Sequence, residues 1–198
     1  APTYASLLNE ARITRNLAPQ YQSEELALIR SGLDPDFYPN VDWSKLLLKN
    51  GAMSYRADLS MSGGGNTARY FVSLSYVEDQ GMYNTDETLR KKYDTNANYK
   101  RWNYRMNVDI DVTPTTIIKL GVSGNLNKRN SPGLGDQYLW SELFGFNALS
   151  SPVLYSNGYV PAYGNNIHQM NPWVSSTRTG YNEEWDNNIQ TNVTVDQK

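Results

Sequence analysis

The acidic residues that come closest to a catalytic spacing are Asp109 and Asp111, which lie two positions apart in a segment of alternating apolar and polar residues. In a strand, such residues share one face and lie about 7 Å apart. That separation suits hydrolysis of a glycosidic bond by paired carboxylates. A polar strand face that meets water explains the same pair more simply. Because no other acid/base pair is visible, we predict that the chain has no catalytic residues and is not an enzyme.

The other chemistry-bearing residues also have simpler structural explanations. His168 is the only histidine, and no partner set for a catalytic triad or a zinc site accompanies it. Asp34 and Asp36 flank a proline and lack the later ligands of a calcium loop. The run Gly63–Gly65 lacks the Lys-Ser/Thr pair and following helix of a phosphate-binding loop, so it is predicted to be a hairpin turn. We therefore predict no metal and no cofactor.

The most suggestive chemistry lies in a long stretch where aromatic residues stand among Asn, Asp, Gln and Ser. Flat rings beside amide and carboxylate groups suit sugars, which offer apolar C–H faces and hydroxyl rims. Aromatic residues also anchor protein interfaces and pack loops together, so both interpretations remain open. The candidate contacts for a ligand or partner are Tyr138, Trp140, Tyr159, Tyr163, Trp173 and Trp185.

Composition excludes several classes of protein. The 198 residues are 39% hydrophobic, carry a formal net charge of −2 and include 15 Tyr and 5 Trp but no Cys. The absence of Cys excludes disulfides and thiolate metal sites, and the balanced charge argues against nucleic-acid binding. No apolar run is long enough for a transmembrane helix, and the first ten residues do not resemble a signal peptide.

Two patterns of residues divide the chain near residue 54. Residues 1–54 contain a predicted short helix, 23–32, with Ser23 as its N-cap, two acidic residues in its first turn and Gly32 at its C-terminal end. A second candidate, of one or two helical turns, lies at 42–49. From residue 55 onward the apolar residues recur with a period of two, which indicates antiparallel strands. The predicted strands are 55–62, 70–76, 102–112, 116–126 and 189–196.

The connections between these strands alternate in length. The first and third are short turns at 63–67 and 113–115, whereas the second and fourth are the long stretches 78–101 and 127–186. Compact soluble sandwiches rarely contain such long loops. Outer-membrane β-barrels have short periplasmic turns and long extracellular loops, with strands that are apolar outside and polar inside. The alternation therefore favours strands from a large transmembrane barrel.

An ordered set of motifs resembles the SusC/RagA family of TonB-dependent outer-membrane transporters. It covers most of residues 38–195. The motifs, in chain order, are YPNVDW at 38–43, LSMSGG at 59–64, RYFVSLSY at 69–76, QG at 80–81, RMNVD at 105–109 and NP at 171–172.

This resemblance implies a bacterial outer-membrane location and an all-β fold of antiparallel strands from a barrel of 22 strands. No plug or TonB box is visible, so the chain is expected to be an internal barrel fragment with long extracellular loops and a short helix near its N-terminus. The partners that the resemblance implies are a SusD-like surface lipoprotein, outer-membrane lipid and, through other parts of the protein, the TonB complex. Family substrates are mostly oligosaccharides, with peptides in some members.

On this interpretation, residues 1–54 are extracellular and 55–198 form about five barrel strands. The residues expected to face the aqueous lumen are Arg56, Asp58, Asn103, Arg105, Asn107 and Asp109. The alternative is a soluble, secreted β-sandwich that binds glycans through its aromatic residues. It requires the apolar face of 102–112 to pack against a second sheet.

Overall fold

The computed structural model describes residues 2–89, 92–161 and 171–198 and divides the chain into two compact units. The sheet unit consists of Gly51–Met82, Asn96–Ser131 and Asn182–Lys198, and the helical unit of Ala1–Asn50, Tyr83–Thr95 and Pro132–Tyr181. The helical unit therefore draws on both sides of the predicted division at residue 54. The elements are α1 (Pro2–Ile13), α2 (Ser23–Ser31), α3 (Trp43–Leu47), β1 (Ser54–Gly64), β2 (Ala68–Asp79), β3 (Tyr99–Thr113), β4 (Thr116–Pro132), α4 (Asp136–Gly145), α5 (Pro172–Thr177) and β5 (Tyr181–Gln197).

The five strands form one sheet in which neighbours in the chain are neighbours in space, in the order β1-β2-β3-β4-β5. The pairs β1–β2, β2–β3 and β3–β4 are antiparallel. Short turns connect β1 to β2 and β3 to β4 at one end of the sheet, which we call the short-turn end. The long connections leave and return at the opposite end, the long-loop end. The five predicted strands and their alternating connections are thus present in the structure.

The register keeps apolar and polar residues on opposite faces across the whole sheet. Leu59 pairs with Leu74 and Leu74 with Tyr104, whereas Ser60 pairs with Ser73 and Ser73 with Arg105. We call these surfaces the apolar face and the polar face. The apolar face includes Tyr55, Ala57, Leu59, Met61, Tyr70, Val72, Leu74, Tyr76, Trp102, Tyr104, Met106, Val108, Ile110, Ile118, Leu120, Val122 and Leu126.

The strands are longer than the alternation predicts, most of all at the long-loop end. β4 continues to Pro132 and β5 begins at Tyr181, so the last connection is shorter than the predicted 127–186. In these extensions polar residues occupy both faces: Lys128 of β4 and Glu183 of β5 lie on the apolar side, so the sequence shows no period of two. Backbone pairing with neighbouring strands extends the sheet through these residues without an apolar signal.

Glycines allow close approaches at two places in the sheet. At the first turn, a Cβ on Gly63 would lie 2.7 Å from the Tyr70 hydroxyl oxygen, so the Tyr70 ring occupies the space above Gly63. In β4, the β3–β4 register runs evenly through Gly121 and Gly124. Their missing side chains leave room for Asn192, for the Tyr104 ring and for the β5 backbone.

The helical unit has a small core built around Trp43, Leu47 and Leu143, against which Phe146 and Trp173 pack. Trp43 and Phe146 meet edge to face with ring centroids 5.5 Å apart. Sequence reasoning placed a helix at 23–32, and α2 is found there, with Gly32 left-handed (φ 64°) at its C-terminus. It also offered one or two helical turns at 42–49, where α3 is found. The N-cap prediction was wrong, because Gln22 holds the cap position and Ser23 is already helical.

Helices α1, α4 and α5 were not predicted. The apolar periodicity of α1 is weak, and α4 and α5 are short and lie inside a polar stretch.

No helix in the described part of the chain is long and apolar enough to cross a membrane. The described residues form a single sheet, so the second sheet required by the soluble-sandwich alternative is not found. Met106 remains 43% exposed on the face that this second sheet would cover.

Candidate functional site

All six residues predicted to face a lumen lie on the polar face of the sheet. β1 contributes Arg56 and Asp58, and β3 contributes Asn103, Arg105, Asn107 and Asp109. The register places them on the same side because Arg56 pairs with Val77, Val77 with Arg101, and alternate positions of β3 share that side. Ser73 and Ser75 of β2 lie on the same side, as do the apolar residues Phe71 and Val77. The result is a largely hydrophilic surface on β1, β2 and β3.

Ion pairs between opposite charges organise this polar face. Arg56 contacts both carboxylate oxygens of Asp58 on the same strand, at 2.7 and 3.3 Å. Near the short-turn end, Arg69 of β2 makes a two-point contact with Asp111 of β3, with both distances 3.0 Å. Lys119 of β4 reaches Asp196 of β5 at 2.6 Å. Cross-strand pairs of this kind stabilise a sheet modestly while leaving its surface wettable.

Asp109 and Asp111 are not arranged as a catalytic pair. Asp111 is held by Arg69, and Asp109 pairs in the register with Arg69 on one side and Lys119 on the other. Each carboxylate thus lies beside basic residues on the polar face. This arrangement agrees with structural roles on that face.

Among the aromatic candidates, Trp140 belongs to a group of rings in contact. It stacks on Phe144 one helical turn further along α4, with centroids 5.8 Å apart and planes 21° apart. The centroid of the Tyr83 ring lies 6.3 Å from that of Trp140. Phe144 is 81% exposed, and the sequence reasoning did not select it. The signal was its spacing of four residues from Trp140, which becomes meaningful only once the segment is known to be helical.

The remaining aromatic candidates lie in different environments. Tyr159 is 72% exposed in a turn, where its backbone N–H donates to the Asn157 side chain. Tyr138 lies half-buried on α4, and Trp173 packs against the core of the helical unit. Trp185 lies in β5 rather than in a loop, on the side of the strand where it contacts Lys128. Tyr163 and His168 lie outside the described residues.

Two of the recognised motifs build the helical unit. In YPNVDW, Asp42 caps α3 by accepting from the Lys45 N–H, and the buried Trp43 indole donates to the Asn147 carbonyl at 3.1 Å. In the NP segment, Asn171 is fully buried and caps α5, where Pro172 occupies the first helical turn as prolines prefer. The Asn171 amide also donates to the carbonyls of Pro152 and Val153.

Two polar side chains in the helical unit, Glu142 of α4 and Ser175 of α5, are buried. Burial raises the pKa of Glu142, while the neighbouring hydroxyls of Ser175 and Tyr138 oppose that shift. Glu142 Oε2 and Ser175 Oγ are buried without a hydrogen-bond partner among the described residues. Burial, followed by the charge of Asp136, raises the pKa of Tyr83. Within the described ranges, no group of three or more His, Asp or Glu residues could hold a metal ion.

Comparison with known proteins places this two-faced sheet among outer-membrane receptors. TonB-dependent receptor P26 of Formosa agariphila is 25% identical over 179 residues, which are 83% of this chain and 18% of that protein. TonB-dependent receptor P3 of the same organism is 24% identical over 111 residues, which are 54% of this chain and 10% of that protein. The chain therefore spans less than a fifth of these relatives. No protein-family model matches it.

A solved structure has the same fold. The RagAB peptide importer in its closed-closed state aligns with 98% of this chain and 23% of its own, with a TM-score of 0.57 and 16% identity. The relatives are named as receptors or as an importer rather than as enzymes, in agreement with the predicted absence of catalysis. These findings agree with the ordered motifs and support a SusC/RagA-type fragment: the chain is similar in sequence to TonB-dependent receptors of the outer membrane and in fold to the RagAB importer.

Proposed function

We propose that this chain is a wall segment of an outer-membrane importer of nutrients. The observation that carries the proposal is the separation of the five strands into one apolar and one polar face. A barrel in a bilayer needs an apolar surface toward lipid and a hydrophilic surface toward water. In this proposal the polar face, with Arg56, Asp58, Asn103, Arg105, Asn107 and Asp109, lines the aqueous path.

The orientation follows from the connections. Outer-membrane barrels place short turns on the periplasmic side and long loops outside. The short turns at Gly65–Thr67 and Pro114–Thr115 would therefore be periplasmic, and the helical unit would be extracellular. A SusD-like lipoprotein would contact this unit, and the TonB complex would supply energy through parts of the receptor outside this chain. A lipoprotein partner is supported by the fold shared with RagAB.

The proposed substrates are oligosaccharides, which exposed rings can bind by stacking against the apolar faces of the sugar. Phe144 is strongly exposed and stacks on Trp140, and Tyr159 is a strongly exposed candidate in the described loops. Peptides are the second candidate, supported by the importer whose fold this chain shares. Aromatic residues bind apolar peptide side chains as well as sugars, so the two classes require a direct comparison.

The test measures binding of malto-oligosaccharides, xylo-oligosaccharides and tryptic casein peptides to the complete receptor in detergent. We expect saturable binding of one class. We also expect the double substitution Trp140→Ala and Phe144→Ala to weaken it about tenfold or more, because a central aromatic contact contributes about 2 kcal/mol.

Trp185→Ala is the matched control, since it removes an equally large ring from the sheet. We expect it to leave the dissociation constant within about twofold. Binding of neither ligand class would contradict the importer proposal. Equal weakening by the control would contradict the assignment of the Trp140–Phe144 pair.

A further inference from the structure

Arg105 lies in the middle of the polar face, among uncharged polar side chains. It is exposed and stands near the centre of β3, the middle strand of the sheet. Its register partners are Ser73 of β2 and Ser123 of β4. Along β3, the neighbours on the same face are Asn103 and Asn107, because alternate residues of a strand share a face. Both cross-strand neighbours are small, so they leave room for a ligand on either side of the Arg105 side chain.

The Arg105 guanidinium has no protein partner in the part of the chain that the structure describes: it makes no ion pair and no side-chain hydrogen bond. By contrast, Arg56, Arg69 and Lys119 on the same face each have a carboxylate oxygen at 3.0 Å or less. Asp109 lies between Arg69 and Lys119 in the register. It is four residues from Arg105, or about 13 Å along the strand. The donors of Arg105 are therefore free to bind an anion from solution.

The polar groups next to Arg105 are also unengaged. The side chains of Ser73, Ser123 and Asn107 have no hydrogen-bond partner among the described residues. Two hydroxyls, one amide and one guanidinium are thus free together on neighbouring positions of three strands. A guanidinium presents five N–H donors in a planar fork, which binds both oxygens of a carboxylate at once. The hydroxyl and amide groups can donate to the same carboxylate or bind polar groups beside it.

We propose that Arg105 is a specificity-determining residue of the transport path, where it binds a carboxylate of the substrate. Ser73, Ser123 and Asn107 contribute hydrogen bonds beside it. This inference rests on the proposed function, because it requires the polar face to line the aqueous path. It deepens that function by assigning a charge to the substrate. The carboxylate belongs to a uronic acid in an oligosaccharide or to the C-terminus of a peptide, and the test below distinguishes these two sources.

The test compares each acidic ligand with a neutral ligand of the same size. Trigalacturonate is paired with maltotriose, and pentaalanine with pentaalanine amide. Isothermal titration calorimetry measures the dissociation constant of each ligand for the complete receptor in detergent. We expect one acidic ligand to bind about tenfold or more tightly than its neutral counterpart, because hydrogen bonds between two charged groups are the stronger ones. The pair that shows this preference identifies the source of the carboxylate.

Arg105→Gln should abolish the preference for the acidic ligand and leave the affinity for the neutral ligand as it is in the unchanged receptor. Arg105→Lys should keep part of the preference, because an ammonium group retains the charge but cannot make two parallel bonds. Lys100→Gln is the matched control. It removes a cation from the same strand, but on the apolar side, where Lys100 is paired with Glu78. We expect this control to keep the full preference.

Equal binding of the acidic and neutral ligands in both pairs would overturn the proposal, as would a preference that survives Arg105→Gln. An equal loss of preference in the Lys100 variant would also overturn it, because the effect would then follow from net charge rather than from the site. Binding of none of the four ligands would contradict the importer proposal itself, on which this site depends. The two failures are therefore distinguishable in one set of measurements.

Discussion

Asn171 links the start of α5 to residues 152–153 through three hydrogen bonds of a single side chain. Its carbonyl oxygen accepts from the Val174 N–H at the start of α5, and its amide nitrogen donates to two carbonyls near residue 152. Every polar atom of this fully buried side chain is therefore used. The sequence motif identified the position, but only the fold explains why an amide is needed there: aspartate could cap the helix but could not donate to the carbonyls.

We expect Asn171→Ala to destabilise the helical unit by about 2–4 kcal/mol, because it removes a helix cap and leaves buried carbonyls without donors. Hydrogen exchange of the complete receptor measures this as lost protection in α5 and the residues around Pro152. Asn157→Ala is the control, because Asn157 makes a similar bond to a backbone N–H in an exposed turn. Unchanged protection in the Asn171 variant would contradict the role assigned to this residue.

At the scale of elements, the strands were predictable because burial on one face imposes a period of two on the sequence. β3 shows this pattern throughout and was placed within three residues at each end. The ends of β4 and β5 lack the pattern because polar residues occupy both faces there. Helices α4 and α5 were missed because they are short and surrounded by loop-like composition, so their stability depends on packing within the helical unit.

Gly124 shows how one residue controls the pairing of two strands. A Cβ at this position would lie 2.5 Å from the Tyr104 hydroxyl oxygen and would overlap the Asn188 carbonyl of β5. We therefore expect Gly124→Ala to lower the yield of folded receptor several-fold, as measured by the fraction that inserts into lipid vesicles. Gly65→Ala is the control, because nothing lies within 4 Å of a Cβ there. Normal insertion of the Gly124 variant would show that β5 can move away.

At the scale of the whole molecule, the two faces of the sheet require different surroundings. Leu59, Leu74 and Met61 are about half-exposed on the apolar face, a costly arrangement in water. The polar face carries paired charges that would be costly in lipid. Two substitutions at adjacent positions of β2, one on each face, can therefore test the proposed orientation.

We expect Leu74→Arg to destabilise the complete receptor in lipid vesicles by about 2–4 kcal/mol, the range for a charge facing the bilayer interior. Ser73→Arg places the same side chain on the polar face, opposite Ser60 and Arg105, where we expect a loss below about 1 kcal/mol. Urea unfolding in vesicles measures both changes. A larger loss in the Ser73 variant would reverse the assignment of the faces.

The sequence by itself determined the number of strands, the alternation of short and long connections, the residues of each face and the resemblance to outer-membrane transporters. These properties follow from local spacing, because a strand exposes every second residue to the same surroundings. Tertiary structure alone decided which residues across the strands meet. The space that Gly124 leaves for Tyr104 and β5 depends on strand register, and the bonds from Asn171 to the carbonyls of Pro152 and Val153 join distant segments, so local periodicity encodes neither.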